Sequence, residues 1–181
     1  MTDVTKKITP NFTASFPAVF SPKEFNGKEK YSVVMVFDND TDLSSLKDMV
    51  RECAVGKWGK VPKPFKTPFR DGNEKDLEKY PTFEDTTFVS AGSLYQPGLV
   101  DQKRQPIIDE SEFYAGCIAR ASVTCYPWEF QGKKGVSFNL VNVQKVSDGT
   151  KLGGRTDASD EFGELPSDDD SSSEEYGADD I

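Results

Sequence analysis

The sequence predicts a mainly β chain: about five strands and one or two helices, closing into a small barrel. Three observations carry this. Residues 113–146 (FYAGCIARASVTCYPWEFQGKKGVSFNLVNVQKV) are two runs of alternating polarity joined by a tight turn. Residues 31–37 (YSVVMVF) are β-branched and nearly continuous, the mark of a central strand. Residues 42–54 are a stretch whose apolar positions recur at helical spacing.

In chain order, residues 1–10 read as an unfixed arm. Phe12, Ala14 and Phe16 alternate within 11–20, a first strand that Pro17 assigns to an edge or an end. The polar connection 22–30 holds Asn26-Gly27, a strong hairpin signal. Thr41 is a good N-cap for the helix over 42–54. Its Leu43, Leu46, Met49, Val50 and Cys53 form an apolar stripe read as core, with Lys47, Asp48, Arg51 and Glu52 on the other side. Residues 56–70 (GKWGKVPKPFKTPFR) cannot be helix, because Pro62, Pro64 and Pro68 exclude it. Residues 71–80 are charged and turn-like, with room for a short helix. A strand over 86–95 and a loop over 96–105 follow, and 106–112 lead into the hairpin.

The hairpin is the centre of the pattern. In its first run Cys117, Ala119, Ala121, Val123 and Cys125 are small and apolar, and Arg120, Ser122, Thr124, Tyr126 and Trp128 occupy the opposite face. Gly132-Lys133-Lys134-Gly135 supplies the glycines for the turn. Val136, Phe138 and Leu140 resume the alternation before Val141 and Val143 shift its phase, which predicts a bulge.

Charge divides the chain. Residues 157–181 hold eleven acids and no Lys or Arg, leaving 20 acids against 22 bases in residues 1–156. A body of +2 therefore carries a tail of −11. The tail is rich in Ser, Gly, Asp and Glu and cannot bury enough apolar surface to offset its ordering entropy, so disorder is expected. The organisation expected is a flexible arm (1–10), one domain (11–156) and an acidic tail (157–181). Three cysteines at irregular spacing give no disulfide framework. With no apolar N-terminal region and no run long enough to span a bilayer, a soluble cytoplasmic protein without membrane contact is expected.

Catalysis has little to stand on. There is no His, no CxxC, no phosphate-binding glycine loop and no dinucleotide fingerprint. Carboxylates such as Asp109, Glu110 and Glu112 leave a Mg²⁺-dependent nuclease as one alternative, but clustered surface acids are usually only solvated. No enzyme activity, metal or cofactor is expected.

Binding has more. Lys57, Lys60, Lys63 and Lys66 recur every third residue. In a polyproline II segment they would share one edge, about 9 Å apart. Trp58, Phe65 and Phe69 are interleaved, and Arg70 ends the run without an intervening acid. Either this is a basic, aromatic arm along a phosphate backbone, or it is a solvated loop pinned to the core by its rings. The hairpin offers Arg120, Tyr126, Trp128 and Phe130 as a stacking platform, with Lys133 and Lys134 beside it and Lys28 and Lys30 at the rim. Each ring taken singly has the alternative of capping the core. The tail, spanning about 25–30 Å as a random coil, can compete with nucleic acid for a basic groove. Its end, Asp179-Asp180-Ile181, sets one apolar residue on an anionic segment, a form suited to docking.

Four blocks, FSPKEFNGKEKYSV (20–33), FRDGNEK (69–75), PIIDESEFYAGCIARASVTCY (106–126) and VNVQKVSDGTKLGGR (141–155), resemble the bacteriophage single-stranded DNA-binding proteins formerly filed as a domain of unknown function. The resemblance covers the whole body. It implies an OB-fold that binds single-stranded DNA in phage replication, recombination and repair, and an acidic tail that recruits replication proteins such as a polymerase or helicase. A homodimer is left open. The competing expectation is an acidic-tailed interaction protein or DNA mimic with no DNA binding of its own.

Overall fold

The computed structural model describes residues 6–25, 27–152 and 165. Eight strands are present among them: β1 (Lys7–Ile8), β2 (Phe12–Phe25), β3 (Lys28–Asp38), β4 (Arg70–Asp71), β5 (Thr86–Ser93), β6 (Gly98–Val100), β7 (Ile118–Phe130) and β8 (Lys133–Ser147). One α-helix, α1 (Ser44–Trp58), lies between β3 and β4. Strand β2 pairs with β3, β3 with β5, β5 in parallel with β8, β8 with β7, and β7 with β2. These five strands close a ring, the arrangement of an OB-fold barrel.

Alternation fills the ring. Val33, Met35 and Phe37 of β3, Val89 and Ala91 of β5, Ala119, Ala121 and Val123 of β7, and Val136, Phe138 and Leu140 of β8 are all buried in one core. Leu46, Met49, Val50 and Ala54 of α1 join it, with Leu43 just before the helix, so the predicted apolar stripe is core. The predicted bulge is present: Ser122 pairs with Asn142 while Val123 pairs with Leu140, leaving Val141 extra. Phe25 pairs with Lys28 around the turn holding Gly27 (φ 79°), as the hairpin signal implied; Asn26 lies outside the described residues.

Several expectations are corrected. The helix runs 44–58, not 42–54. Gly59 (φ 77°) supplies the left-handed C-cap, and Trp58 in the last turn anchors on the core. Thr41 is not its cap: Leu43 holds that position without a side-chain bond, and the Asp42 carboxylate accepts from Ser44 N–H at 3.0 Å. Lys57 and Trp58 are thus helical, so the four lysines do not share one polyproline edge. Part of the N-terminal arm is fixed. Lys7 and Ile8 pair with β7, and Thr9 is clamped to Ala121 through its N–H (2.8 Å) and hydroxyl (3.1 Å); residues 1–5 lie outside the described residues. The first strand is longer than 11–20 because Pro17 sits in a register shift, where no ladder N–H is needed. The hairpin turn is only Gln131 and Gly132, both at positive φ, so Gly135 belongs to β8. Within the expected loop 96–105, the three-residue β6 pairs with β8.

Cys117 is buried and Cys53 and Cys125 partly so. The Cys125 thiol donates to the Met49 carbonyl at 3.5 Å and is pushed up to about 12 by burial, then by its neighbour Cys53. These are packing cysteines.

The end of the body is latched. Tyr114 hydroxyl lies 3.0 Å from the Asp148 carboxylate and accepts from Gly149 N–H at 3.1 Å, and Lys145 pairs with Asp148 at 2.6 Å. Leu152 N–H donates to Ala115. The latch closes because two glycines meet: a Cβ on Gly116, itself at φ 112°, would lie 1.8 Å from Thr150 carbonyl oxygen. Gly116→Ala should therefore lower the stability by more than about 1 kcal/mol. Gly56→Ala, in α1 with nothing within 4 Å, should be neutral or stabilising by about 0.5–1 kcal/mol. Urea midpoints of the two variants check the pair; equal shifts would contradict this account of the latch.

Candidate nucleic-acid interface

The tip of the β2–β3 hairpin reads KEFNGKEK over residues 23–30. Lys23 pairs with Lys30, Glu24 with Glu29, and Phe25 with Lys28. Cross-strand partners share a face and faces alternate along a strand. Lys23, Lys28 and Lys30 therefore stand on one side of the hairpin and both glutamates on the other. Among the described residues no acid pairs with these three lysines. Like charges directly opposite one another are unfavourable, and an anion beside them relieves the cost.

The lysine face looks into a cleft of about 680 Å³. Its outward floor is made of small and polar side chains, Ser32, Ser90, Gly92, Ser137 and Asn139, with Val34 beside them. Phe16 and Tyr126, each 42% exposed, and Leu94, 62% exposed, rise around it. The cleft exists because β2 slips twice against β3. Between Ser15↔Val34 and Ala18↔Ser32 one residue is extra; between Ala18↔Ser32 and Lys23↔Lys30 three are. Such shifts bend a strand and re-aim its side chains. Here they swing the lysine tip over the sheet and turn Phe16 outward.

Of the residues singled out in the sequence, Lys28, Lys30 and Tyr126 line this cleft. A second group meets beside it. Lys66 N–H donates to Lys134 carbonyl (2.9 Å), and Val136 N–H to Lys66 carbonyl (3.4 Å), so the basic arm is tied to the β7–β8 hairpin. Trp128 pairs with Gly135 and lies over it: a Cβ there would be 2.5 Å from the indole. Tyr126, Trp128, Gly135 and Ser137 share one outward strand face, which leads from the cleft to the hairpin end. There Phe130 (66% exposed) and Lys133 are open to solvent, while Lys134 pairs with Glu129 at 3.7 Å and lies 5.9 Å from the Trp58 ring centre. Lys57, Lys60 and Lys63 are exposed, whereas Trp58 and Phe65 are half-buried against the core.

Two residues stand apart. Arg120 is six residues from Tyr126 along β7, about 20 Å at the rise of a strand. Its Nε donates to Gln144 (2.8 Å), which in turn holds Asp101 carbonyl. Arg70 pairs with Glu74 at 3.4 Å and stacks on Phe88. Asp109 is occupied locally: Ser111 N–H and hydroxyl bond its carboxylate and hold it below the usual range. Among the described residues, no group of three His, Cys, Asp or Glu is placed to hold a metal, and no helix is long and apolar enough to cross a membrane. Asp179, Asp180 and Ile181 lie outside the described residues.

A family model described as the ssDNA-binding protein of Enterobacter phage Enc34 matches residues 5–172. The chain belongs to that family. The solved single-stranded DNA-binding protein of bacteriophage Enc34 is 22% identical, with a TM-score of 0.68 over 86% of this chain and 89% of that one. The same phage protein in complex with ssDNA gives 22% identity and a TM-score of 0.69, over 82% of this chain and 89% of that one. The gp2.5 single-stranded DNA-binding protein of bacteriophage T7 is 18% identical, with a TM-score of 0.63 over 91% of this chain and all of that one. No curated protein matches. The family and the OB-fold expected from the sequence blocks are both present.

Sequence reasoning passed over Phe16, Lys23, Ser32, Ser90, Gly92, Leu94, Ser137 and Asn139. One signal was available: alternation applied to KEFNGKEK is enough to segregate its lysines from its glutamates. The serine floor had none, because outward serines mark any solvated strand. Gly135→Ala should push the Trp128 ring off the strand, red-shifting its fluorescence and lowering stability. An unchanged emission spectrum would show that the ring does not rest there.

Proposed function

We propose that this protein binds single-stranded DNA without sequence preference, in the cleft between the lysine face of the β2–β3 hairpin and Tyr126. The observation that carries this is the charge segregation: three lysines with no acid among them face a shallow floor rimmed by half-exposed rings. Lysines neutralise phosphates and the rings stack on bases, an interaction open to every base. A floor of serines, Gly92 and Asn139 leaves room for bases to lie flat. From Tyr126 the DNA continues over Trp128 toward Phe130 and Lys133, with Lys66, Lys63, Lys60 and Lys57 as further phosphate contacts; Lys134, paired with Glu129 on the other face, is secondary. Arg120 and Arg70, engaged by Gln144 and Glu74, are secondary. The work is binding rather than turnover, in replication, recombination and repair.

The acidic tail is read as a competitor for the same groove and as the contact for replication proteins, with Asp179, Asp180 and Ile181 at its docking end. Its root supports this. The latch holds Leu152 beside Thr13, Val36 and Thr82, next to the outward face of β2 and β3 from which the cleft is built. A tail starting there has a groove within its reach.

Fluorescent oligo-dT and a duplex of equal length, titrated at several salt concentrations, test the reading. Oligo-dT is expected to bind more tightly, with a steep salt dependence. Replacing Lys23, Lys28 and Lys30 together by Gln should flatten that slope by about 0.7 for each phosphate no longer neutralised. Tyr126→Ala and Trp128→Ala should each weaken binding by about 1–3 kcal/mol. Deleting residues 157–181 should tighten it. A truncated body that ignores oligo-dT in dilute buffer would overturn the proposal and favour the DNA-mimic alternative.

A further inference from the structure

The cleft wall on the Phe16 side continues past the residues assigned above. Phe16 has φ 46°, a left-handed conformation that a bulky aromatic keeps only where its surroundings impose it. Its ring meets Tyr80 edge-on, 5.7 Å between centres. Two ammonium groups stand over Tyr80: Lys75 Nζ at 5.8 Å and Lys79 Nζ at 5.4 Å. Lys75 also lies over Phe83 (5.6 Å) and Phe88 (5.1 Å), which fixes its position on the barrel's outer surface.

The block FRDGNEK (69–75) builds this arrangement. A Cβ on Gly72 would lie 2.1 Å from both Phe83 carbonyl oxygen and Thr86 Oγ1, so only glycine lets the segment fold down. Asp71 accepts from Asn73 N–H (2.9 Å), and Asn73 accepts from Asp85 N–H (3.0 Å). The segment is thereby closed into a loop that delivers Lys75 and Tyr80 to Phe16. Phe83, Phe88 and Val36 form a small apolar cluster outside the barrel core, with Tyr80 packed on its edge; the two ammonium groups and the Phe16 ring are not part of that cluster. An exposed ring with two cations one ring away, opening into a DNA-sized cleft, matches one base and its flanking phosphates.

We propose that Phe16, Tyr80, Lys75 and Lys79 form a second base-and-phosphate station of the single-stranded DNA site. The inference rests on the cleft reading given under the proposed function. On β3 the hairpin lysine Lys30 and Val34, beside Phe16, are four residues apart, about 13 Å. A strand neutralised by the hairpin lysines crosses the serine floor and stacks a base on Phe16. Its next phosphates then lie against Lys75 and Lys79.

Phe16→Gly removes the ring while keeping the backbone conformation, because glycine adopts φ 46° without strain. Binding is measured at fixed salt to an oligo-dT and to an abasic oligomer of the same length. The expected result is a loss of about 5- to 100-fold for oligo-dT and less than about twofold for the abasic strand. The double variant Lys75→Gln, Lys79→Gln should lower the salt slope by about 0.7 for each phosphate that the pair neutralises, on both strands. If wild type binds oligo-dT and Tyr126→Ala weakens it while Phe16→Gly binds like wild type, the second station is wrong and the cleft stands. If wild type ignores oligo-dT altogether, both fall. Equal losses on dT and abasic strands would mean that Phe16 acts through the backbone conformation, which also overturns the stacking role.

Discussion

The pairing of β7 with β8, from Ile118↔Ser147 to Phe130↔Lys133, is the contact on which the rest of the molecule depends. It joins the β2–β3–β5 sheet to itself, because β7 reaches β2 at one end and β8 reaches β5 in the middle. The closing contacts are short, Phe12 and Thr13 of β2 on β7 and Ala91 and Gly92 of β5 on β8, so the long β7–β8 ladder is what holds the ring together. It also sets which side chains are inside. The inward positions of β7 are Ala119, Ala121 and Val123, small enough for α1 to approach and place Met49, Val50 and Ala54 in the core. Larger residues there would hold the helix off and leave voids in a core that must be close-packed.

Closure has a second consequence. With the apolar face of every strand spent inside, function is confined to the outside, and the outer surface is shaped by departures from regular pairing. The one-residue slip at Phe16 and the three-residue slip before Lys23 turn a flat sheet into a cleft with a wall. The Val141 bulge bends β8 between its contacts with β5 and β6. Regular pairing holds the barrel, and irregular pairing makes the binding surface.

Several features of that surface run against stability. Lys23 faces Lys30, Phe16 is held at positive φ, and Phe130, Leu94 and Tyr95 are large apolar side chains left largely exposed. Each has an account as part of a site for a polyanion with stackable bases, except Tyr95, whose exposure nothing in the structure explains. By contrast the latch at Tyr114, Lys145 and Asp148 has fully matched partners and serves the fold. Its pH behaviour follows from Asp148, whose carboxyl is held below the ordinary value by the Lys145 and Tyr114 bonds. The latch is intact above the ordinary carboxylate range and loosens as pH falls through that lowered value.

What the sequence determined by itself was whatever depends on local period and local chemistry. Alternation placed the β7–β8 hairpin, its inward small residues and its bulge. Helical spacing placed the stripe of α1, and four blocks placed the chain in its family. Charge arithmetic separated a mildly basic body from an acidic tail. The helix end was misjudged because the prolines that exclude helix begin only at Pro62, and Trp58, packed on the core, carries the helix on to the Gly59 cap. The tertiary structure alone decided which distant residues meet. Lys66 joins Gly135, Phe16 joins Tyr80, and serines from three strands become one floor, because which strands pair, and in which register, is set across the barrel between residues far apart in sequence. Arg120 shares a strand face with Tyr126, which period 2 makes legible, but the cleft's end at Tyr126 and the Gln144 partner of Arg120 come from other strands and are not.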